Sequence, residues 1–118
     1  MAFLFNRSAV IVTPKKKFAD WVIKVDDSGL LTPTEKEIRK NQSVYLIDSS
    51  YSSEEKEIRS IMKFSYPEIA IQEFAGWWTV EDDWPILKNL KEFEAYFEWQ
   101  YHDMVVDVAV EDLTLDEI

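Results

Sequence analysis

The feature that most constrains the fold is a β-branched run that leads directly into an amphipathic helical pattern. Residues 8–13 (Ser-Ala-Val-Ile-Val-Thr) have the composition of a buried strand. Thr13 suits a helix N-cap, with Pro14 at the first helical position. The apolar side chains that follow recur at the spacing of one helical face: Phe18, Trp21, Val22 and Val25. A strand that leads straight into a helix is typical of mixed α and β architecture.

Two further segments have strand character. The segment 43–48 contains the apolar run Val-Tyr-Leu-Ile and reads as a second buried strand. In the segment 103–110, Met104, Val106, Val108 and Val110 recur with period two, the clearest alternation in the chain. Together with 8–13, these segments predict a three-stranded sheet.

The helical pattern recurs between these strands. Helix-start signals occur at Thr32-Pro33 and at Ser52 with Glu55, and Pro67 predicts a break near Tyr66. After Trp84-Pro85 a last helix is expected, with one apolar face made by Ile86, Leu90, Phe93 and Phe97.

These patterns predict a single α+β domain over residues 1–118. Its sheet has strands near 8–13, 43–48 and 103–110, and three to four helices pack on one face in a two-layer arrangement. Residues 112–118 read as a frayed acidic tail.

The charge of the chain is unevenly distributed. Residues 1–60 carry 10 basic and 9 acidic side chains, whereas residues 61–118 carry 3 basic and 14 acidic ones, and the total is −10. An acidic surface field of this kind influences the choice of partners and the solubility. It argues against nucleic-acid binding through phosphates, which needs clustered lysine and arginine.

Several classes of site are excluded by residues that the chain lacks. It has no cysteine, which excludes disulfides, thiolate metal sites and cysteine nucleophiles. Its two glycines stand alone, so that no phosphate-binding loop or dinucleotide fingerprint can be written and no cofactor is expected. No secretory signal and no run of about 18 apolar residues occurs, which predicts a cytoplasmic protein with no membrane contact.

His102 is the single histidine and the natural candidate for acid–base chemistry. Glu94, Glu98 and His102 would share one face if a helix continued through Gln100, and His102 with Glu98 is therefore the alternative metal site of a small metal-dependent or hydrolytic enzyme. Because a strand is expected from Met104, His102 is instead assigned to a helix–strand corner, as a structural residue favoured by the helix dipole. No catalytic or metal-binding residue is assigned, and a non-enzymatic role is favoured.

The acidic half also holds four of the five tryptophans. An exposed tryptophan rimmed by carboxylates is a good anchor for a protein partner, because aromatic side chains supply much of the binding energy at interfaces. Two alternatives stay open: the aromatic residues form the core, and the carboxylates form a solvated turn that favours the next helix start. The predicted function is a protein–protein interaction domain or homodimer, with these candidate binding residues: Trp77, Trp84, Trp99, Glu81, Asp82 and Asp83.

Four blocks of the sequence carry a resemblance to a known group of proteins. They are residues 7–22 (Arg-Ser-Ala-Val-Ile-Val-Thr-Pro-Lys-Lys-Lys-Phe-Ala-Asp-Trp-Val), residues 44–47, Trp84-Pro85 and residues 93–107. Together they resemble a family of small acidic bacterial proteins of unknown function. The resemblance implies a bacterial, cytoplasmic, single-domain protein, and it implies no activity, cofactor or catalytic residue.

Overall fold

The computed structural model describes residues 1–26, 33–49 and 54–118, which form an α+β fold. The strands of this part are β1 (Phe3–Leu4), β2 (Arg7–Pro14), β3 (Ser43–Asp48), β4 (Phe97–His102) and β5 (Val106–Asp107). Its helices are α1 (Lys16–Val25), α2 (Glu35–Arg39), α3 (Glu55–Ala75) and α4 (Leu90–Tyr96), and a 3₁₀ turn covers Glu81–Asp83. The predicted α+β class, with a three-stranded sheet and four helices in the described part, is confirmed.

The main sheet is antiparallel, in the order β3–β2–β4, while β1 and β5 pair separately. Val10 lies opposite Tyr45 and Tyr101, and Val12 lies opposite Ser43 and Trp99. Directly opposed side chains of an antiparallel pair lie on the same face, and Val10 and Val12 are completely buried. This face is therefore covered by the helical layer.

The opposite face of the sheet, called the open face below, is bordered by α2 at one end, where Thr13 and Glu98 line a cleft with Glu35 and Arg39. Its side chains come from alternate positions of the same three strands, and most of them are exposed. They are Arg7, Ala9, Ile11, Thr13, Val44, Leu46, Asp48, Glu98, Gln100 and His102.

The core between the two layers is built around phenylalanine rings. Phe97, the first residue of β4, has its ring centroid 4.8 Å from that of Phe18 on α1 and 4.9 Å from that of Phe93 on α4. Phe74 on α3 lies 5.5 Å from Phe18. All four side chains are at most 2% exposed, so one aromatic cluster joins three helices to the sheet.

The third strand of the sheet was predicted at 103–110, and that position is wrong. β4 comprises residues 97–102, and within 103–110 only Val106–Asp107 forms a strand, which pairs with β1. The segment 97–102 also alternates, with Phe97, Trp99 and Tyr101 on the covered face. These aromatic side chains bury more apolar surface than the valines of the later segment, and Val108 and Val110 stay exposed.

The helix break predicted at Pro67 is also wrong, because α3 runs without interruption from Glu55 to Ala75. A proline inside a helix removes one backbone hydrogen bond and crowds the preceding turn. The carbonyl left without a partner is that of Lys63, four residues earlier. Since Lys63 and Pro67 are both exposed, this carbonyl can bond to water. Burial of Met62 before the proline and of Phe74 after it holds one continuous helix in place.

Three helix starts differ from the prediction. β2 extends through Pro14, and α1 has Lys15, not Thr13, as its N-cap. Thr32 and Ser52 lie outside the described residues; α2 is capped by the Thr34 hydroxyl, which accepts a hydrogen bond from the Glu37 N–H. The last helix begins at Leu90, because the Asn89 side chain caps it by accepting from the Glu92 N–H.

Candidate interaction surface

The segment that follows α3 is held against the end of that helix by hydrogen bonds from three tryptophan indoles. The indole N–H of Trp78 donates to Oδ2 of Asp83 at 2.9 Å, and the indole N–H of Trp21 donates to the Asp83 carbonyl at 3.1 Å. The indole N–H of Trp84 donates to the Trp78 carbonyl at 2.7 Å. Asp83 is therefore held from two sides, and the 3₁₀ turn is fastened to α1 and to the end of α3.

The acidic turn, defined as Glu81–Asp83, extends into solvent from this tryptophan layer. All three of its residues are exposed, and none of the ion pairs between described residues involves them. Trp77 and Trp84 are half-buried and pack against the core, with the ring of Trp84 stacked 6.4 Å from that of Phe74. The predicted residues Trp77, Trp84 and Glu81–Asp83 therefore lie in one region.

Two large apolar side chains flank the acidic turn and are exposed to water. Val80 is 48% exposed and Ile86 is 82% exposed. The helix expected from Trp84-Pro85 would have buried Ile86, but the chain forms no helix between Trp84 and Asn89 and leaves Ile86 exposed. Apolar groups beside fixed carboxylates make a surface suited to a partner that is both basic and apolar.

Trp99 belongs to a different place. It lies on the covered face of β4, and its indole N–H donates to Oε2 of Glu94 at 3.0 Å. Both carboxylate oxygens of Glu94 also accept hydrogen bonds from Arg59, each at 3.1 Å. Arg59 lies 16 residues before the end of α3, about 24 Å along the helix axis, so the structure does not bring Trp99 to the acidic turn.

The Arg59–Glu94 pair is a feature that sequence reasoning missed. The Arg59 guanidinium hydrogen-bonded to Glu94 lowers the pKa of that carboxyl below its usual range. The ammonium of Lys15 donates to the Glu94 carbonyl at 2.8 Å, near the end of α4, where a cation is favourable. These groups line a cleft of about 360 Å³ with Glu55 and Trp99. The pair joins residues 35 positions apart, which no local pattern indicates.

His102 is the last residue of β4 and does not lie between a helix and a strand. Its assignment to the end of a helix is therefore wrong. It lies exposed on the open face, opposite Ala9. α4 ends at Tyr96, and Glu98 and His102 are four strand residues apart, about 13 Å. No group of three or more His, Cys, Asp or Glu side chains among the described residues could hold a metal ion.

A buried carboxyl group lies under β3. Glu73 on α3 is 7% exposed and accepts a short hydrogen bond from the Tyr45 hydroxyl. Burial raises the pKa of Glu73, while the hydrogen bonds from Tyr45 and Ser43 oppose that rise. Burial, with the neighbouring carboxylate, also raises the pKa of the Tyr45 phenol, which keeps the proton on the tyrosine.

Comparison with known proteins gives no relative from which to assign this site. The chain matches no protein-family model, no curated protein and no solved structure. In the described part of the chain, none of the helices is long and apolar enough to cross a membrane.

Proposed function

We propose that this protein is a cytoplasmic bacterial interaction domain, non-enzymatic, that binds a basic protein partner through the surface formed by Trp77, Val80, the acidic turn, Trp84 and Ile86. The observation that carries the proposal is the exposure of Val80 and Ile86 on either side of the acidic turn. Apolar side chains exposed in this way lose unfavourable hydration when a partner covers them.

The rigidity of the acidic turn supports the same proposal. Trp21 and Trp78 hold Asp83 by hydrogen bonds, and the Trp84 backbone N–H donates to the Glu81 carbonyl, so that the backbone of the turn is ordered before a partner arrives. A surface that is already ordered loses less conformational entropy on binding. Its carboxylates would steer a basic partner and set the salt dependence, while the apolar side chains would contribute contact area.

The test is capture of partners from a lysate of the source cell on immobilised protein at about 0.05 M and about 0.5 M salt. We expect a basic partner to be retained at low salt and released at high salt. The double variant Glu81→Gln/Asp82→Asn should bind it about tenfold more weakly, which corresponds to about 1.4 kcal/mol. Ile86→Ser should weaken it separately, through lost apolar contact.

The matched control is Glu111→Gln/Asp112→Asn, which makes the same change of net charge in the exposed C-terminal segment. It should leave capture unchanged if the acidic turn is the binding surface. Equal capture by the wild type and the Glu81→Gln/Asp82→Asn variant, or capture that does not depend on salt, would contradict the proposal. Asp83 is left intact in every variant because it holds the tryptophans in place.

A further inference from the structure

β3 is an edge strand whose outer side has no partner in the described part of the chain. The sheet order places β2 on one side of β3 and no strand on the other. The outward N–H and C=O groups of such a strand are a template for pairing with another strand. Edge strands are usually protected by lysine, proline or a bulge, and β3 (Ser-Val-Tyr-Leu-Ile-Asp) contains neither lysine nor proline.

The surface around this edge is apolar. On the open face Val44 is 65% exposed and Leu46 is 52% exposed, and beside the edge Phe64 of α3 is 77% exposed. Phe64 lines a groove of about 240 Å³ with Leu46 and other residues of β3. An edge strand and a large exposed ring next to each other are two separate signs of a missing neighbour.

The charges at this edge favour a second copy of the chain as that neighbour. The charged residues of the groove are Arg7, Asp48 and Glu68, one cation and two carboxylates. The whole chain carries −10, and its residues 61–118 carry 14 acidic against 3 basic side chains. Two copies that meet through their acidic surfaces would repel each other, whereas the charged residues of the β3 groove sum to only −1 in each copy, so that the repulsion there is weaker.

The sequence of β3 is also complementary to itself. When two β3 strands pair antiparallel about a two-fold axis through Tyr45, Val44 lies opposite Leu46 of the partner subunit, and the same contact repeats on the other side of the axis. Both are apolar open-face positions, and such cross-strand pairs are the main source of sheet stability. A two-fold contact of this kind closes on itself and stops at the dimer.

We propose that this protein forms a homodimer in which β3 pairs antiparallel with β3 of a second copy, so that the two sheets become one six-stranded sheet. The dimer contact is made by the β3 edge, which contains neither the acidic turn nor Val80 and Ile86. The inference therefore does not depend on the proposed function, and either one can fail without the other.

The first test is the mass of the full chain in solution by light scattering, from about 1 μM to about 100 μM. The wild type should be a dimer at the upper end of this range. Leu46→Lys should be a monomer, because a lysine on the edge strand opposes pairing. Its Tm should be close to that of the separated wild-type subunit, since the Leu46 side chain is about half exposed.

The matched control is Gln100→Lys, which adds the same charge to the open face but lies on β4, the opposite edge strand of the sheet. It should remain a dimer. If Gln100→Lys becomes a monomer, the contact includes the open face or the β4 edge, and pairing through β3 is wrong. A wild type that stays monomeric throughout the concentration range would overturn the proposal outright.

The second test locates the contact by disulfide cross-linking. Because the chain has no cysteine, any disulfide must come from the introduced residues. Opposed residues of antiparallel strands have Cα atoms about 4.5–5.5 Å apart, within the range that a disulfide spans. A mixture of Val44→Cys and Leu46→Cys proteins should therefore form a mixed disulfide on oxidation, and Val44→Cys alone should form little. Absence of the mixed disulfide would overturn the pairing, and faster formation in Leu46→Cys alone would overturn its register.

Discussion

Glu73 shows at the scale of one residue how the core tolerates a carboxyl group. It faces β3 from α3, and its neighbours Ser43 and Tyr45 supply hydrogen bonds but no positive charge. Burial disfavours the ionised form of the carboxyl, and the net result is a raised pKa. The folded protein therefore holds the proton on Glu73 more tightly than the unfolded chain does.

This raised pKa makes stability depend on pH in a definite direction. When a folded-state pKa lies above the unfolded one, the stability that the group contributes is present below the unfolded pKa and is lost as the pH rises through the folded pKa. Glu73→Gln keeps an acceptor for Tyr45 without the charge. We expect its Tm to match the wild type at acidic pH, where Glu73 is protonated in both states, and to exceed it once the pH has risen through the folded-state pKa.

The control for that prediction is Glu111→Gln, an exposed glutamate in the C-terminal segment. Its Tm should follow the wild type over the whole range, and thermal melts at each pH measure both variants. A Glu73→Gln variant less stable than the wild type at pH 8 would show that the ionised carboxylate stabilises the fold. Glu94, whose pKa is lowered by Arg59, works in the opposite direction and loses its contribution as the pH falls.

Sequence patterns predicted the burial of some single residues and missed the burial or pairing of others. Phe18 and Val22 were expected on the inner face of α1, and both are buried. Glu73 was not expected inside, because a carboxylate in a helical pattern is ordinarily solvated, although it lies one turn after the buried Ile69. The Arg59–Glu94 pair has no local signal at all, since its members meet only after α3 packs beside α4.

At the scale of the elements, α3 is the helix with the clearest internal conflict. The helix continues without a break through Pro67, although this residue has no N–H to donate and crowds the turn before it. Tertiary burial of the residues on either side compensates for this cost. Helix propensity therefore decides less here than the apolar face of the helix.

Pro67→Ala should remove this cost without removing a core contact, because Pro67 is exposed. We expect the free energy of unfolding to rise by about 1–3 kcal/mol, measured by urea denaturation. Lys63→Ala, four residues earlier on the same helix, serves as the control and should change stability by less than about 0.5 kcal/mol. A loss of stability in Pro67→Ala would mean that the proline limits the unfolded chain more than it strains the helix.

Two neighbouring segments of the sequence have the alternation expected of the third strand, and only the first of them forms it. Residues 97–102 and 103–110 both alternate, but the spacing of Phe93 and Phe97 also fits a helix and concealed the first of them. α4 ends with Phe97 as its C-cap, and the same residue begins β4. Phe97 thus satisfies both patterns, which is why its neighbours were assigned to the wrong element.

On the scale of the whole molecule, the charge imbalance opposes folding. Residues 61–118 contain 14 acidic and 3 basic side chains, and the compact state holds them closer together than the unfolded chain does. Among the described residues, three ion pairs have nitrogen–oxygen distances of 2.8 to 3.5 Å, and of their carboxylates only Glu94 belongs to this half. Screening by salt should therefore stabilise the protein.

We expect Tm to rise between about 0.02 M and about 0.5 M sodium chloride by about 3–6 °C, which corresponds to about 1 kcal/mol. Glu81→Gln/Asp82→Asn should show a smaller rise, because it starts with less repulsion. Calorimetry measures both proteins. A Tm that is constant or falls with salt would show that favourable ion pairs outweigh the repulsion.

The sequence by itself determined the α+β class, the strands over 8–13 and 43–48, the inner face of α1 and the acidity of the second half. These follow from local periodicity and composition, which hold in any arrangement of the chain. Only the tertiary structure decided that 97–102 completes the sheet, that α3 continues through Pro67, and that Trp99 lies away from the acidic turn. Each of these outcomes depends on how much apolar surface a segment buries against distant neighbours, and this quantity exists only once the elements have packed together.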